Sequence, residues 1–381
     1  MKLKLKETPE QIELIKAMGS KNATASREAS EAFAAFLGPV IQEVIQTAGT
    51  ANMIYSDAPF NEDDNPSYPL DLYYNENDGY VTVWSQHLAG GLPTSQVEGV
   101  AEMKIATYRL DSAVSWMKRY ARRSRLDVVS KAIERMATEV LIKQERNAWA
   151  VILRALAEAS TNVQSTGSAV ATKHIVASAT EDKFVLGDMS TLMTRLKRIN
   201  ESFSGHTPVA PWSNGLTDLY VSPEVKQDIR AFSYSPIGNN ANQSLPEDAK
   251  SGAYRGAGLA NIFGINIVDL QELGVGQKYN TLYETFSDSA GLAGAVNEAG
   301  ASTTTAFNDS SSHEVIIGVD ASREALIRPV ARNADSGATF SALPDDQYSQ
   351  RADKTGFYGS VEEGRVCIDA RVLAGAHLKR S

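Results

Sequence analysis

Residues 127–160 read DVVSKAIERMATEVLIKQERNAWAVILRALAEAS and contain neither glycine nor proline. As an α-helix this stretch would be a rod about 50 Å long, because a helix rises about 1.5 Å per residue. Its first half carries a narrow apolar stripe, spaced by four, three and four residues, which is formed by Val129, Ile133, Met136 and Val140. The pattern predicts one helix about three times the usual length, with Asp127 as its N-cap.

The composition is that of a globular protein without a membrane helix. Of the 381 residues, 43% are hydrophobic and 22% are charged, which is ordinary for a chain of two or three domains. The net charge of −9 disfavours a protein that wraps a polyanion. No segment approaches the roughly 20 apolar residues of a membrane span, so no membrane partner is expected. Cys367 is the only cysteine, which excludes an intrachain disulfide and favours a reducing compartment.

The charge is distributed unevenly along the chain. The segment from Asn22 to Met103 contains one basic and twelve acidic residues. This acidic window therefore has a net charge of −11, and the rest of the chain has a net charge of +2. A basic segment follows, and its cations are Lys118, Arg119, Arg122, Arg123 and Arg125. Three interpretations are open for this segment. It could be the solvated start of a helix, a weak and salt-sensitive nucleic-acid contact, or a surface that pairs with the acidic window of another subunit.

Periodicity and turn signals predict a mixed α+β chain without a repeating βαβ order. In the first third we expect two helical pieces over 8–48 that break at Gly38-Pro39, a loop over 55–79, and a long hairpin over 80–110 with a mobile tip. The hairpin strands would be 80–84 and 103–110. Further on we expect a helix over 188–202, a helix capped by Ser222, and strands at 261–270, 314–320 and 365–375, with Gly264 as a bulge or a point of close approach in the first of these.

No motif indicates catalysis or a bound cofactor. The five histidines have no second ligand at i+2 to i+5, so we expect surface or loop positions and no zinc site; they are His87, His174, His206, His313 and His377. The sequence has neither a Gly-x-Ser-x-Gly elbow nor a Walker lysine. Asp63-Asp64 is best explained as part of a solvated loop, and Cys367 as a small buried hydrophobic residue. The expectation is a protein that is not an enzyme and holds no metal or cofactor.

The order of elements resembles that of the tailed-bacteriophage major capsid proteins, which have the HK-97-type fold. The stretches that carry the likeness are the hairpin, the long helix, Leu219-Tyr-Val-Ser-Pro-Glu-Val225 and Lys354-Thr-Gly-Phe-Tyr-Gly359. The resemblance implies four parts. They are an N-terminal helical arm over 1–50, an extended loop over 51–115, a peripheral domain over 116–160 and 325–381 with the long helix as its spine, and an axial domain over 161–324.

The same resemblance implies a structural function. The chain would assemble with itself as pentamers and hexamers into an icosahedral virion head that encloses double-stranded DNA, built in the cytoplasm of a bacterial host. The arm and the extended loop would lap onto neighbouring subunits, with opposite charges and apolar side chains in contact. The expected interface residues are Asp63, Asp64 and Glu98 in the acidic window, Arg122, Arg123 and Arg125 in the basic segment, and Trp84, Leu88 and Leu92 in the extended loop.

Two departures from the family pattern bear on how such a shell would be stabilised. No lysine occurs between Lys21 and Lys104, so a covalent cross-link from a hairpin lysine cannot form and stabilisation would be non-covalent. The segment before the extended loop is too short for a fused scaffolding domain, so we expect a separate scaffolding protein, a portal, and a decoration protein as a further candidate partner. The alternatives are an encapsulin-type compartment shell of the same fold and a soluble α+β enzyme.

Overall fold

The computed structural model of the chain describes residues 9–47, 49–61, 66–69, 102–123, 126–159, 174–178, 180–199, 215–231, 261–287, 310–333, 337–344 and 353–380. Within these ranges the chain is a mixed α+β protein with seven α-helices and fourteen strands. This confirms the α+β class predicted from the sequence. Over the same ranges, no helix has both the length and the apolar character that crossing a bilayer requires.

The helices, in chain order, are α1 (Pro9–Met18), α2 (Ala23–Thr47), α3 (Lys118–Arg122), α4 (Leu126–Ala159), α5 (Leu186–Ile199), α6 (Pro223–Ala231) and α7 (Lys278–Ser287). Short 3₁₀ turns lie at Ala51–Met53, Ala321–Arg323 and Ala370–Val372. The strands are β1 (Ser56–Asn61), β2 (Ser67–Pro69), β3 (Glu102–Lys104), β4 (Tyr108–Met117), β5 (Ile175–Ala177), β6 (Asp218–Val221), β7 (Asn261–Ile262), β8 (Ile265–Asp269), β9 (His313–Val319), β10 (Leu326–Arg332), β11 (Ser341–Pro344), β12 (Lys354–Glu363), β13 (Val366–Cys367) and β14 (Leu373–Lys379).

The strands form three sheets. The first has the order β1-β10-β12-β11, with β13 beside β10 and β4 beside β12. The second has the order β5-β14-β9-β6-β8-β7, and β2 pairs with β3 in a two-stranded ribbon. The chain divides into two compact units: the first comprises residues 1–68, 104–148 and 327–366, and the second comprises 69–103, 149–326 and 367–381.

The long helix α4 runs from Leu126 to Ala159, one residue earlier at each end than predicted. Asp127 therefore lies inside its first turn and is not the N-cap. Residues 126–148 of the helix belong to the first unit and residues 149–159 to the second. The predicted stripe is buried in the first unit, and a second stripe continues it in the second unit, formed by Trp149, Ile152, Leu153, Leu156 and Ala157.

The core of the first unit is built from α1, α2, the first part of α4 and the first sheet. Its centre is an aromatic chain: the ring of Phe33 on α2 lies 5.4 Å from that of Phe357 on β12, which lies 5.5 Å from that of Trp116 on β4. Burial of each large apolar side chain stabilises the fold by about 1.5–3 kcal/mol. The two N-terminal helices are thus part of the core of their own unit.

The prediction that the N-terminal helices break at Gly38-Pro39 was wrong. Helix α2 continues through both residues to Thr47, and the break lies before it, where Asn22 Oδ1 accepts a hydrogen bond from Thr24 N at 3.3 Å and caps the helix. Pro39 removes one helical hydrogen bond. Leu37 and Ile41, which flank it and are fully buried, offset that cost through core contacts.

The loop predicted over 55–79 contains two strands in its described part. β1 pairs in parallel with β10, from Ser56↔Ile327 to Asn61↔Arg332. β1 is the first strand in the order of its sheet, and an edge position tolerates the proline and polar residues that made SDAPFN resemble a loop. β2 lies in the same stretch and pairs with β3.

Residues 103–110 form two strands in different sheets, where one strand was predicted. β3 pairs with β2, and Ile105 N next to it donates to Pro66 O at 3.0 Å. β4 then begins at Tyr108 and pairs antiparallel with the whole of β12, from Tyr108↔Glu363 to Met117↔Lys354. The β2–β3 ribbon therefore joins the residues just before and just after 70–101, and the predicted strand 80–84 lies outside the described residues.

The second sheet holds the core of the second unit. β9 is buried along its whole length, as predicted for 314–320, and lies between β14 and β6. Ser222 caps α6 as predicted: its Oγ accepts a hydrogen bond from Val225 N at 3.1 Å. Apolar residues from the sheet and two helices pack together, those of the helices being Met189, Leu192 and Leu196 from α5 and Val225 and Ile229 from α6.

Two strand predictions in the second unit need correction. Residues 261–270 form a hairpin in which Phe263 and Gly264 are the turn, so Gly264 is a turn residue and not a bulge. Residues 365–375 are interrupted by the 3₁₀ turn before β14. There the Asp369 carboxylate accepts from Arg371 N at 2.9 Å and pairs with the Arg371 guanidinium at 2.7 Å. Such local bonding of aspartate competes with strand pairing.

Candidate subunit interface

The basic segment is held in place by contacts inside the first unit. It begins as the single turn α3, directly after β4, and Lys118 N donates to Asp353 O at 2.8 Å. Arg122 donates from Nε to Gly19 O at 2.7 Å and pairs through Nη2 with Asp353 Oδ1 at 2.9 Å. A Cβ on Gly19 would meet Arg122 N at 2.8 Å, so this close approach requires glycine. Arg122 thus ties the α1–α2 connection to the start of β12.

Arg119 and Arg123 are exposed, as is Arg122. Arg119 lies over the ring of Tyr120, with 5.0 Å between its guanidinium carbon and the ring centroid, and donates to Tyr120 Oη at 3.2 Å. Arg123 is exposed, and its backbone N–H donates to Arg119 O at 3.2 Å at the end of the turn. Of the three arginines predicted from the sequence, Arg123 is thus better placed than Arg122 for a contact with another molecule.

The other predicted interface residues have no described position. Arg125, together with Asp63, Asp64, Trp84, Leu88, Leu92 and Glu98, lies outside the described residues. Their role in assembly stays a prediction. The structure therefore brings together only Arg122 and Arg123 from the predicted set.

The outer face of β4 is a second candidate surface in the same unit. Its side chains alternate between exposed and partly buried along almost the whole strand. On the exposed face Arg109 pairs with Asp111 at 2.8 Å and donates to Tyr358 Oη at 3.3 Å. Over the described ranges β4 pairs with β12 alone. An edge strand of this length can accept a further strand.

A buried polar cluster in the first unit could not be found from the sequence. Glu363 is fully buried, and its Oε2 accepts from Arg328 Nε at 2.9 Å and from Gln144 Nε2 at 3.0 Å. Its Oε1 accepts from Tyr108 Oη at 3.0 Å. Burial, helped by the charge of Glu363, raises the pKa of Tyr108 to about 12. The cluster joins β4, α4, β10 and β12, and its hydrogen bonds and ion pairs hold these elements together.

Arg365 completes this cluster through an aromatic contact. Its guanidinium carbon lies 4.7 Å from the ring centroid of Tyr55, and its Nη2 lies 3.5 Å from Glu363 Oε2. Its Nε and Nη1 are buried and have no hydrogen-bond acceptor in the described part of the chain. The ring face of Tyr55 supplies part of the missing stabilisation as a cation–π interaction.

The prediction that the histidines occupy surface or loop positions was wrong for His313 and His377, which lie in strands, while His174 lies in the loop residue just before β5. His174, His313 and His377 are all buried. Burial lowers the pKa of His377 to about 3, and the ring Nε2 lies 3.1 Å from Tyr283 Oη. These residues sit in or beside β9 and β14, whose burial is decided by the sheet and not by local sequence. His87 and His206 lie outside the described residues.

A second buried carboxylate lies in the second unit. Burial raises the pKa of Glu314, which accepts a hydrogen bond from Ser222 Oγ at 2.7 Å and pairs with Arg380. Arg380 also pairs with Asp228 of α6 at 2.8 Å. Within the described ranges no group of three or more histidine, cysteine, aspartate or glutamate side chains could hold a metal ion. Cys367 is partly buried, and desolvation raises the pKa of its thiol to about 12.

No protein-family model matches the sequence, and no curated protein matches it either. The similar solved structures are mostly phage capsids. The capsid of the cyanophage P-SCSP1u is 12% identical, with 86% of each chain covered and a TM-score of 0.46. The mature capsid of bacteriophage PhiM1 is 10% identical, with 88% of this chain and 87% of that chain covered and a TM-score of 0.47.

A bacterial compartment protein is similar to the same degree. The holo-SrpI encapsulin complex from Synechococcus elongatus is 11% identical, with 87% of this chain and 88% of that chain covered and a TM-score of 0.44. At these identities and TM-scores the likeness concerns the arrangement of elements.

Proposed function

We propose that this chain is the major capsid protein of a tailed bacteriophage, assembling with itself as pentamers and hexamers into an icosahedral head that encloses double-stranded DNA. The observation that carries the proposal is α4, a single 34-residue helix that contributes to both compact units. A helix of this length is not needed to fill one core. It is useful where a subunit must keep two sets of contacts in a fixed register.

The order of the parts supports the same function. We assign the helical arm to 1–50, the extended loop to 51–115, the peripheral domain to 116–160 and 325–381, and the axial domain to 161–324. The two strands of the β2–β3 ribbon are separated in the sequence by 32 residues, 70–101. A connection of this length is far longer than a tight turn requires and would serve to reach a neighbouring subunit.

Two parts of the chain would reach a neighbour, the N-terminal arm and the extended loop. Ile15, Phe33, Leu37 and Ile41 are buried in the core of their own unit, so the arm would make its contacts through the exposed faces of α1 and α2. The extended loop would supply Trp84, Leu88 and Leu92 as its apolar contacts and Asp63, Asp64 and Glu98 as its charges. These would dock against Arg123 and Arg125, with Arg122 as a support. Each exposed ion pair contributes about 0–1 kcal/mol, and a closed shell repeats it in every subunit.

The partners follow from this function. A shell of this kind encloses DNA through confinement and not through base contacts, which fits the net charge of −9. It needs a separate scaffolding protein and a portal, and a decoration protein could add stability, since a hairpin-lysine cross-link is not available. The head would assemble in the cytoplasm of the bacterial host and end as part of the virion.

The test is self-association as a function of salt, followed by size-exclusion chromatography and light scattering. The chain should form large particles or rings of five and six subunits at low salt, and fewer at high salt. Arg123→Glu should shift this dependence so that assembly is lost at lower salt. Arg332→Glu, an equal change of charge at an exposed residue at the end of β10, is the matched control and should leave assembly unchanged.

A chain that remains monomeric at every concentration and salt, both alone and together with its scaffolding protein, would contradict the proposed function. Particles that are indifferent to salt and to Arg123→Glu would contradict only the electrostatic docking, and would leave the apolar contacts of the extended loop as the main stabilisation. Particles isolated with an enzyme inside and no head-like opening would favour the encapsulin alternative.

A further inference from the structure

Strand β4 lies at the edge of the first sheet and has few of the features that protect an edge. Over the described ranges it pairs with β12 alone, from Tyr108↔Glu363 to Met117↔Lys354 without a skipped residue, so it has no bulge. It contains neither proline nor lysine, and its two charged residues, Arg109 and Asp111, pair with each other. Natural edge strands are usually short, bulged or charged, because an open edge pairs with other chains.

The backbone of β4 has room for one more strand. In an antiparallel pair every second residue directs its N–H and C=O groups away from the neighbouring strand. The described part of the chain supplies no other backbone partner for these groups. At about 3.3 Å per residue the open edge is roughly 33 Å long. An additional strand would satisfy its hydrogen-bonding groups.

The side chains of β4 define the kind of strand that fits beside it. On one face, Leu110 and Val114 pack against the core of the first unit and are still only partly buried. The residues on the opposite face are all exposed; they are Arg109, Asp111, Ala113, Ser115 and Met117. A strand added here would place apolar side chains beside Leu110 and Val114 and polar side chains on the exposed face. Its sequence must therefore alternate between apolar and polar residues.

The start of the sequence has this alternation. Residues 2–6 read Lys2-Leu3-Lys4-Leu5-Lys6, without glycine or proline, and lie outside the described residues. Such a segment has one apolar and one charged face as a strand. The segment 80–84, YVTVW, has strand composition as well, but Thr82 is its one clearly polar residue and it lacks a charged face.

The chain connection brings residues 1–8 into the same unit as β4. They are followed directly by α1, whose Ile15 and Met18 are in the core of the first unit. Gly19, just after α1, accepts a hydrogen bond from Arg122, which is five residues beyond the end of β4. Since α1 is about 15 Å long and eight extended residues span roughly 26 Å, the segment can reach the Met117 end of β4. A tether of this kind raises the local concentration of the segment at the strand.

We infer that residues 2–6 add to β4 of their own chain as a further strand of the first sheet. Leu3 and Leu5 lie on the inner face, beside Leu110 and Val114. The lysines lie on the exposed face, where the Asp111 carboxylate provides a counter-charge. The covered edge keeps unassembled chains from pairing through β4. This inference concerns the single chain and does not rest on the proposed function.

The experiment measures hydrogen–deuterium exchange of the unassembled full-length chain at residue resolution. Leu3→Lys/Lys4→Leu keeps composition and charge but breaks the alternation, and Leu3→Ile/Leu5→Ile keeps all three. In the wild type, amides of β4 that point away from β12 should be protected. In Leu3→Lys/Lys4→Leu they should exchange about tenfold faster or more, whereas Leu3→Ile/Leu5→Ile should match the wild type. Amides of β9 in the second unit are the internal reference and should not change.

Fast exchange of these outward amides in the wild type would overturn the inference, because the edge would then be open. Equal protection in the wild type and in Leu3→Lys/Lys4→Leu would overturn it as well. If protection is instead lost in Thr82→Pro, residues 80–84 are the strand that covers β4, and the assignment to residues 2–6 is wrong.

Photo-crosslinking identifies the chain that provides the segment. Benzoylphenylalanine replaces Leu3 in the full-length chain, and light and heavy isotope-labelled chains are mixed before irradiation. The cross-linked peptides should join position 3 to residues 108–117 and carry a single isotope label. Peptides with mixed labels would show that a second copy provides the strand, and cross-links away from β4 would show that the segment binds elsewhere. Either result would overturn the inference.

Discussion

Replacing Glu363 with alanine removes the common acceptor of the buried polar cluster in the first unit. Glu363 has 0% exposed side chain, and the side chains of Arg328 and Arg365 that share its Oε2 are 5% and 1% exposed. The variant would leave two guanidinium groups without their buried counter-charge. Removing one partner of a buried ion pair costs about 3–5 kcal/mol, which for a domain of this size lowers the melting temperature by about 6–20 °C.

The assay is thermal and urea unfolding of the unassembled chain, followed by circular dichroism. Glu31→Ala is the matched control, because Glu31 pairs with Arg27 at 2.9 Å on the surface of α2, with the two side chains 52% and 67% exposed. An exposed i,i+4 pair contributes no more than about 0.5 kcal/mol. The double variant Glu363→Leu/Arg365→Met should recover part of the loss, since apolar replacement removes the unpaired charge. A Glu363→Ala variant no less stable than Glu31→Ala would refute the reasoning.

Three further predictions concern the stability of the unassembled chain. Burial lowers the pKa of His377 to about 3. The neutral buried histidine therefore contributes to the free energy of unfolding above the unfolded pKa near 6.5. This contribution is lost as pH falls toward 3, by about 1.4 kcal/mol per pH unit. The free energy of unfolding measured between pH 6.5 and 5 should fall with this slope. The His377→Gln variant should show a smaller slope, and an unchanged slope in the variant would contradict the assignment. Gly356→Ala should destabilise the protein by about 1–3 kcal/mol, because the new Cβ would lie 2.6 Å from Val114 O. Gly187→Ala is the control: its Cβ would meet only Val185, at 3.9 Å, and it should stabilise α5 by about 0.5–1 kcal/mol. Equal effects of the two variants in urea titrations would show that the close approach at Gly356 is absent. Trp149→Ala should cost about 3–5 kcal/mol, since Trp149 is fully buried and its ring centroid lies 4.8 Å from that of Tyr220; a loss below 1 kcal/mol by urea unfolding would contradict the described packing.

The elements that the sequence predicts well are those whose signals are local and long. Helix α4 has no glycine or proline over its length and keeps one apolar spacing, so its ends were predicted to within one residue. β9 has the apolar run Val315-Ile316-Ile317, and this run predicts a buried strand, while the burial of His313 and Glu314 at its start depends on the sheet. Ser222 followed by Pro223 is a helix start whose hydrogen bond to Val225 N can be expected from residue types.

The elements that the sequence misses depend on where they lie in the fold. β1 carries aspartate and proline and is a strand because it occupies the edge of a sheet beside β10. The turn at Phe263-Gly264 has a residue that turn preferences disfavour, so the sequence resembled a continuous strand. Pro39 suggested a helix break that core contacts of its neighbours override.

The candidate site was predictable only in part, because the contacts of its residues depend on the fold. A run of five cations marks the basic segment, but only the fold shows that Arg122 is bound to Gly19 and Asp353 while Arg123 is exposed. The Glu363 cluster joins residues more than 200 positions apart, as the pairing of Gln144 with Glu363 shows. No local sequence pattern predicts such a cluster, because each member by itself has the sequence context of a surface residue.

Electron microscopy of the purified chain at low salt and high concentration tests the central claim most directly. A shell-forming subunit predicts closed particles of uniform diameter, with fivefold vertices in averaged images, and rings of five or six subunits as intermediates. Irregular aggregates, open filaments, or isolated single chains under all conditions would contradict the claim.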